Sequence, residues 1–308
     1  MRQYRLLIFG FALVFIIFGC DSGGSDDTSP ETGAAILTLN NLSPLPGDYH
    51  LEGWVVTSDL ATLSLGKFTV GSGGRLFNLA GEELATRRLD TQFPLDSARI
   101  AYITIEPPGD VDDSPSMTRL MGGLFIEGSA ELRTTDVEGI EDALVLARGN
   151  YIIETPTNGP NSFEQSGIWF VNLTGGPPAR GLRITTPIPG WKHQGWVDID
   201  GIPLNMGVIS HHSQPDDSNI YSGSQPGYNY PGEDFLVNAP PSLTFPLSLA
   251  GTRVTVSLEP DPDPDPERSQ LILFEATVPE TPESIGTTYD MTNQVDTWPT
   301  GRMVIVQQ

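Results

Sequence analysis

The chain has 308 residues, with 39 Asp and Glu against 16 Lys and Arg and a formal net charge of −23. That balance excludes a nucleic-acid binder, whose affinity comes from neutralising phosphates with Lys and Arg, and argues against close contact with anionic lipid heads. A single cysteine excludes an intrachain disulfide and leaves the folded part to be held by its core alone.

Arg2 and Arg5 precede an apolar run from Leu6 to Phe18 that ends at Gly19-Cys20. A membrane span needs roughly 20 apolar residues, so this shorter run, with its charged start and small residue before the cut, predicts a secretory signal. Ile17-Phe18-Gly19-Cys20 resembles the lipobox of bacterial lipoproteins. The resemblance implies a signal peptide over 1–19, lipid attachment at Cys20 and an extracytoplasmic protein anchored in the cell envelope through that lipid. Asp21 resembles an inner-membrane retention signal, and Ser25-Asp26-Asp27 resembles the acidic export tags of surface lipoproteins. The membrane face therefore stays open. From Cys20 to residue 33 nothing is strongly apolar, which predicts a flexible tether.

Beyond the tether, Gly (33) and Pro (27) punctuate short β-branched runs, the pattern of an all-β protein. Strands are expected at Ile36–Leu39, Tyr49–Val56 and Leu63–Val70, then around Ala101, Ile103 and Ile105, at Leu120–Ile126 and at Ala143–Ala147. Gly81–Leu89 has room for one short helix. Further strands are expected at Gly149–Thr157 and Ser166–Val171, around Val254, Val256 and Leu258, at Leu271–Phe274 and at Arg302–Val306, the last with the option of pairing back onto the sheet.

Five landmarks occur twice in the same order. The first set is Pro44-Leu45-Pro46-Gly47, Gly53-Trp54, Gly66, Phe93-Pro94-Leu95 and Glu106-Pro107. The second is Pro187-Ile188-Pro189-Gly190, Gly195-Trp196, Gly207, Phe245-Pro246-Leu247 and Glu259-Pro260. Trp to Gly is 12 residues in one and 11 in the other, and Phe to Glu is 13 and 14. This is an internal duplication. It predicts two tandem β-sandwich-like domains, 34–134 and 149–308, with a polar seam between about 131 and 148.

The stretch Pro44–Phe68 with Thr104-Ile105-Glu106-Pro107 resembles the extracytoplasmic C-terminal domain of anti-sigma-K factors. So does the second copy, through Gly190-Trp191, Gly195-Trp196, Pro231-Gly232-Glu233-Asp234-Phe235 and Glu259-Pro260-Asp261. The match covers roughly 34–130 and 149–280 and includes no catalytic signature. The N-terminal helical domain and membrane span of those factors have no counterpart here, so direct sigma-factor binding is not implied.

Trp54 and Trp196 are the candidate residues of a ligand groove; as large side chains at matched strand positions they are also the natural core of each copy, and the core is favoured. Glu106 and Glu259 form the pair that glycoside chemistry would use, but each lies in its own copy, before Pro, where a solvated turn is expected. Asp261, Asp263 and Asp265 alternate with Pro and lack the glycine and distal Glu of a calcium loop. His50, His193, His211 and His212 have no zinc-enzyme spacing, and a loop cluster that binds nothing is expected. Ser72 and Ser224 lack the Gly-x-Ser-x-Gly pattern of a nucleophile elbow. These readings predict no catalytic residue, metal or cofactor. They predict a non-catalytic envelope lipoprotein that binds or scaffolds a protein or glycan partner. A sensory accessory of an anti-sigma system and a carbohydrate-active or hydrolytic protein stand as alternatives.

Overall fold

The computed structural model describes residues 32–159, 164–283 and 285–306. The signal segment 1–19, Cys20 and almost all of the tether lie outside these residues. The described chain is all-β, with short 3₁₀ turns and no α-helix. Its antiparallel sheets include a half-barrel and a nearly closed barrel.

The first copy supplies β1 (Gly33–Asn40), β2 (His50–Thr57), β3 (Thr62–Gly71), β4 (Arg75–Phe77), β5 (Arg88–Thr91), β6 (Ala98–Glu106), β7 (Arg119–Leu124) and β8 (Ser129–Arg133). The second supplies β9 (Gly149–Ile153), β10 (Gly167–Trp169), the small pair β11 (Val171–Asn172) and β12 (Ala179–Arg180), β13 (Trp191–Ile199), β14 (Ile202–Ile209), β15 (Gly232–Asp234), β16 (Arg253–Pro260), β17 (Ile272–Thr277) and β18 (Thr288–Asn293). The last strand is β19 (Thr300–Ile305).

The first sheet runs β4-β3-β2-β6-β7-β8-β19-β1-β5, and the second β14-β13-β16-β17-β18-β9-β10-β15. Laid side by side, β3-β2-β6-β7-β8 matches β14-β13-β16-β17-β18, and β1 and β5 match β10 and β15. The place of β9 in the second sheet is held in the first by β19. The strand that opens the second copy therefore has its counterpart at the far end of the sequence. Although residues 300–305 fall within the expected second unit 149–308, β19 pairs with β1 on one side and β8 on the other.

The landmark glycines explain themselves at the hairpins. Gly53 pairs with Gly66 and Gly195 with Gly207, and in both the ladder slips by one residue before the Trp. Gly66 (φ +101°) and Gly207 (φ +116°) hold a conformation that L side chains rarely adopt. Just upstream, Ser64 Oγ and Asn205 Oδ1 accept from the N–H of Gly66 (3.0 Å) and Gly207 (2.7 Å). The same bulge is built twice with different polar side chains.

The apolar face of each sheet alternates as strands require. Leu51, Val55, Ala101, Ile103, Val197, Val254, Val256 and Leu258 are all buried in one continuous apolar cluster that runs through both copies, and residues 31–308 form one compact unit. Leu65 of β3 and Leu89 of β5, from opposite ends of the strand order, both reach the empty Cα of Gly53, so the first sheet curls on itself. The two copies clasp each other reciprocally. Gly190, in the Pro-rich turn of the second copy, receives Thr118 Oγ1 of the first (3.3 Å), and Trp191 Nε1 donates to Arg119 O (3.0 Å). In the opposite sense, Ser43 N beside the first copy's turn donates to Gln270 Oε1 (2.9 Å).

Two local expectations change. Ala143–Ala147 is not a strand but part of the 3₁₀ turn Asp142–Leu146, in which Leu144 alone is buried. Gly81–Leu89 forms turns and the start of β5 rather than a helix; positive φ at Gly81 and at Arg87 breaks the helical path.

Candidate functional site

The strands' second face is polar yet buried, and in each copy it brings that copy's candidate Trp and Glu together. Trp54 is 0 % exposed and Trp196 2 %. Neither indole offers a ring face to a ligand, so the groove reading of Trp54 and Trp196 is corrected: the pressure to bury a large side chain prevails. Each indole N–H is satisfied in the same way. Trp54 Nε1 donates to Thr104 Oγ1 (2.8 Å), and Thr104 donates to Glu106 Oε1. Trp196 Nε1 donates to Ser257 Oγ (2.8 Å), and Ser257 donates to Glu259 Oε1.

Glu106 and Glu259 are each 1 % exposed, not on solvated turns as expected. They are drawn inward because each carboxyl closes a loop of equal length. Ser116 N donates to Glu106 (3.0 Å) and Ser269 N to Glu259 (3.1 and 3.0 Å), ten residues on in both copies. The same serines cap the strand ends, Ser116 Oγ on Ile105 O and Ser269 Oγ on Leu258 O. Burial pushes the Glu259 carboxyl up to about 7, against the hydrogen bond from Ser257. The two carboxyls stand in separate copies, each within its own hydrogen-bonded chain.

The loops so closed carry the acidic residues. In the first copy Lys67 Nζ reaches Asp110 Oδ2 at 2.6 Å and also donates to the backbone oxygens of Asp110 (3.1 Å) and Asp112 (2.9 Å). In the second, Lys192 reaches Asp263 at 3.1 Å, while Arg268 holds Asp198 through two hydrogen bonds. Asp265 caps Glu267 N (2.7 Å). Among the described residues no group of three or more His, Asp or Glu is arranged to hold a metal ion.

The histidines divide. His193 is not in a loop: it sits on β13, 1 % exposed, on the apolar face where the first copy has Leu51. Burial pushes its imidazole down to about 4, so it is neutral. His211 and His212 follow β14 with ring centroids 5.0 Å apart. His50 lies across from Glu106 on the polar face of β2.

Three carboxylates escaped the sequence reading. Asp216 and Glu233 are pushed up to about 7 by burial, and Asp234 is raised by the same cause. Glu233 accepts from Ser222 and Ser218, Asp216 from Gly232 N (2.7 Å), and Asp234 from Trp169 Nε1 (2.7 Å) and Thr157 N (2.7 Å). They pin the long segment after β14 onto the sheet. The only trace in the sequence is the run Gly232-Glu233-Asp234-Phe235, two acids beside an aromatic residue.

A cleft of ≈ 350 Å³ opens where the copies meet. Leu45 and Pro46 of the first copy's turn form one wall, and Asp263, Pro264 and Asp265 of the second copy's loop the other. Ile105, Leu120, Trp191 and Leu271 make an apolar floor. The two sequence features that stood apart, the Pro-Leu-Pro-Gly turn and the Asp-Pro repeat, thus line one concavity. No protein-family model, curated protein or solved structure matches the chain.

Proposed function

We propose that this chain is a non-catalytic lipoprotein of the cell envelope, held to the membrane by lipid on Cys20, whose two anti-sigma-K-like β copies form a rigid platform that binds or scaffolds a partner. One observation carries the reading. The carboxyls with the most catalytic promise, Glu106 and Glu259, are turned inward and tie a tryptophan, a hydroxyl and a loop serine together in each copy. Such a use supports a frame rather than turnover. The cleft between the copies, with its apolar floor and acidic wall, is the place this reading gives to the partner. An apolar ligand carrying positive charge fits that wall.

Fatty-acid labelling in cells tests the anchor: the parent chain takes up label and Cys20→Ser does not, whereas equal labelling defeats the lipoprotein reading. A screen of glycoside and peptide substrates tests the rest. Turnover by the parent that Glu106→Gln or Glu259→Gln abolishes, in a variant that still folds, would replace the platform with an enzyme.

A further inference from the structure

The sequence holds two lysines, Lys67 and Lys192. Both lie on the polar faces described above, and each points at the aspartate four residues after its copy's Glu of Glu-Pro, Asp110 and Asp263. The first site has an additional member. Glu52, across β2–β3 from Lys67, is fully buried, with one carboxyl oxygen 3.8 Å from Nζ. That oxygen has no hydrogen-bond partner, while the other accepts from Ser64 Oγ. Side-chain exposure is 15 % for Lys67, 11 % for Asp110 and 1 % for Glu52. An amine and a carboxyl 2.6 Å away, both partly covered, are thus held beside a fully buried second carboxyl in reach of the amine.

We propose that Lys67 and Asp110 join in an intramolecular isopeptide bond, with Glu52 as the proton shuttle. Nζ gives up a proton, passed by Glu52 to the Asp110 carboxylate, and its lone pair attacks Cγ of Asp110, forming the C–N bond. The nitrogen then loses a second proton, again by way of Glu52, to the same oxygen; the Cγ–O bond breaks and that oxygen leaves as water, with Glu52 restored. Ammonium plus carboxylate becomes amide plus water, with no redox change and no further reactant. In water such a condensation is opposed; a fixed pair of reacting groups gains an effective concentration of up to roughly 10⁵–10⁸ M, and partial burial of the pair limits the water that would reverse it. Burial pushes Glu52 up to about 7, against the pull of Ser64 and Lys67, so both of its protonation states are accessible near neutrality. The bond would tie β3 to the loop that follows β6.

The second copy serves as an internal control. Gln194 stands at the place of Glu52 and Val208 at that of Lys67. Lys192 approaches Asp263 at 3.1 Å from a different strand, with no second carboxylate within 4.0 Å of its nitrogen among the described residues. Glu259 nearby already accepts from Ser257 and Ser269. One bond is expected, not two.

The full chain, purified and unfolded in denaturant, is treated with an amine-acylating reagent and mapped by mass spectrometry. The expected result is acylation at Lys192, none at Lys67, and a branched peptide joining the Lys67 and Asp110 segments at the summed mass less one water. Complete acylation of both lysines overturns the proposal whatever the variants do. Glu52→Gln, with its fold checked by circular dichroism, should lower the branched peptide at least tenfold; undiminished yield removes Glu52 from the mechanism. Asp110→Ala, on a surface loop, should free Lys67 for complete acylation, and a Lys67 still blocked in that variant overturns the choice of partner.

Discussion

The two copies share a skeleton and differ in what surrounds it. The indole, hydroxyl, carboxyl and serine chain recurs in the same order, Trp54–Thr104–Glu106–Ser116 against Trp196–Ser257–Glu259–Ser269. Around it the chemistry is exchanged. Glu52 and Lys67 in one copy become Gln194 and Val208 in the other, Leu51 becomes His193, and the lysine that grips the loop moves from β3 to β13. The parts that satisfy buried polar groups are fixed, because an unpaired one costs about 1–3 kcal/mol. The parts that merely close the loop on its outer side are interchangeable.

The sharpest way to break the likeness is at the strand the first copy borrows. Truncation before Thr300 removes β19, bares β1 and β8, and takes the fully buried Met303 with it. The expected loss is comparable to the whole ~5–15 kcal/mol of a domain. Circular dichroism should show the first sheet lost, and a peptide of residues 294–308 added in trans should restore it. The matching tryptophans come next. Trp54→Ala and Trp196→Ala should each cost roughly 3–5 kcal/mol in urea unfolding; a twofold difference between them would mean that the two frames are not equivalent. Cutting the relay at its middle by Thr104→Val or Ser257→Ala strands an indole N–H, at about 1–3 kcal/mol each.

Acid and base separate the copies further. Glu52, Asp216, Glu233 and Glu259 are pushed up to about 7. The folded chain holds their protons more tightly than the unfolded one, so the stability they add is complete below their ordinary values and is lost as the pH rises through about 7. His193 is pushed down to about 4 and acts oppositely: its contribution is full above its ordinary 6.5 and is lost as the pH falls through about 4. Asp234 is raised by the same cause and His212 is lowered by partial burial, so with five carboxyls against two imidazoles the urea midpoint should be higher at pH 5 than at pH 8. His193→Leu, which copies Leu51, should widen that gap; a midpoint lower at pH 5 would contradict the assignment. The smallest effect is expected at Arg302, whose pair with Glu131 spans β19 and β8 at 57 % and 68 % side-chain exposure. Arg302→Gln should change stability by less than ~0.5 kcal/mol, since the backbone ladder holds β19.

Much of this frame was legible from local chemistry. Gly66 and Gly207 recur at matched places because their positive φ demands glycine there, and alternation gave the apolar faces of β6 and β16. What stayed hidden depends on distant partners. Glu before Pro reads as a wet turn until a serine ten residues on is seen to close over it. Lys67 and Asp110 are 43 residues apart with nothing in either neighbourhood to announce the pair. His193 occupies a position whose apolar character only the fold reveals. The cleft needs both copies and their clasp before it exists.

The place of β19 also sets an order of events in time. A polypeptide is made from its N-terminus onward. The slot between β8 and β1 can be filled only by residues 300–305, which follow after everything else in both sheets. The first half is thus obliged to wait, its strand edges open, while the second half is produced and can already complete its own sheet with β9. Delivery of the final strand then closes the first sheet in a single late step.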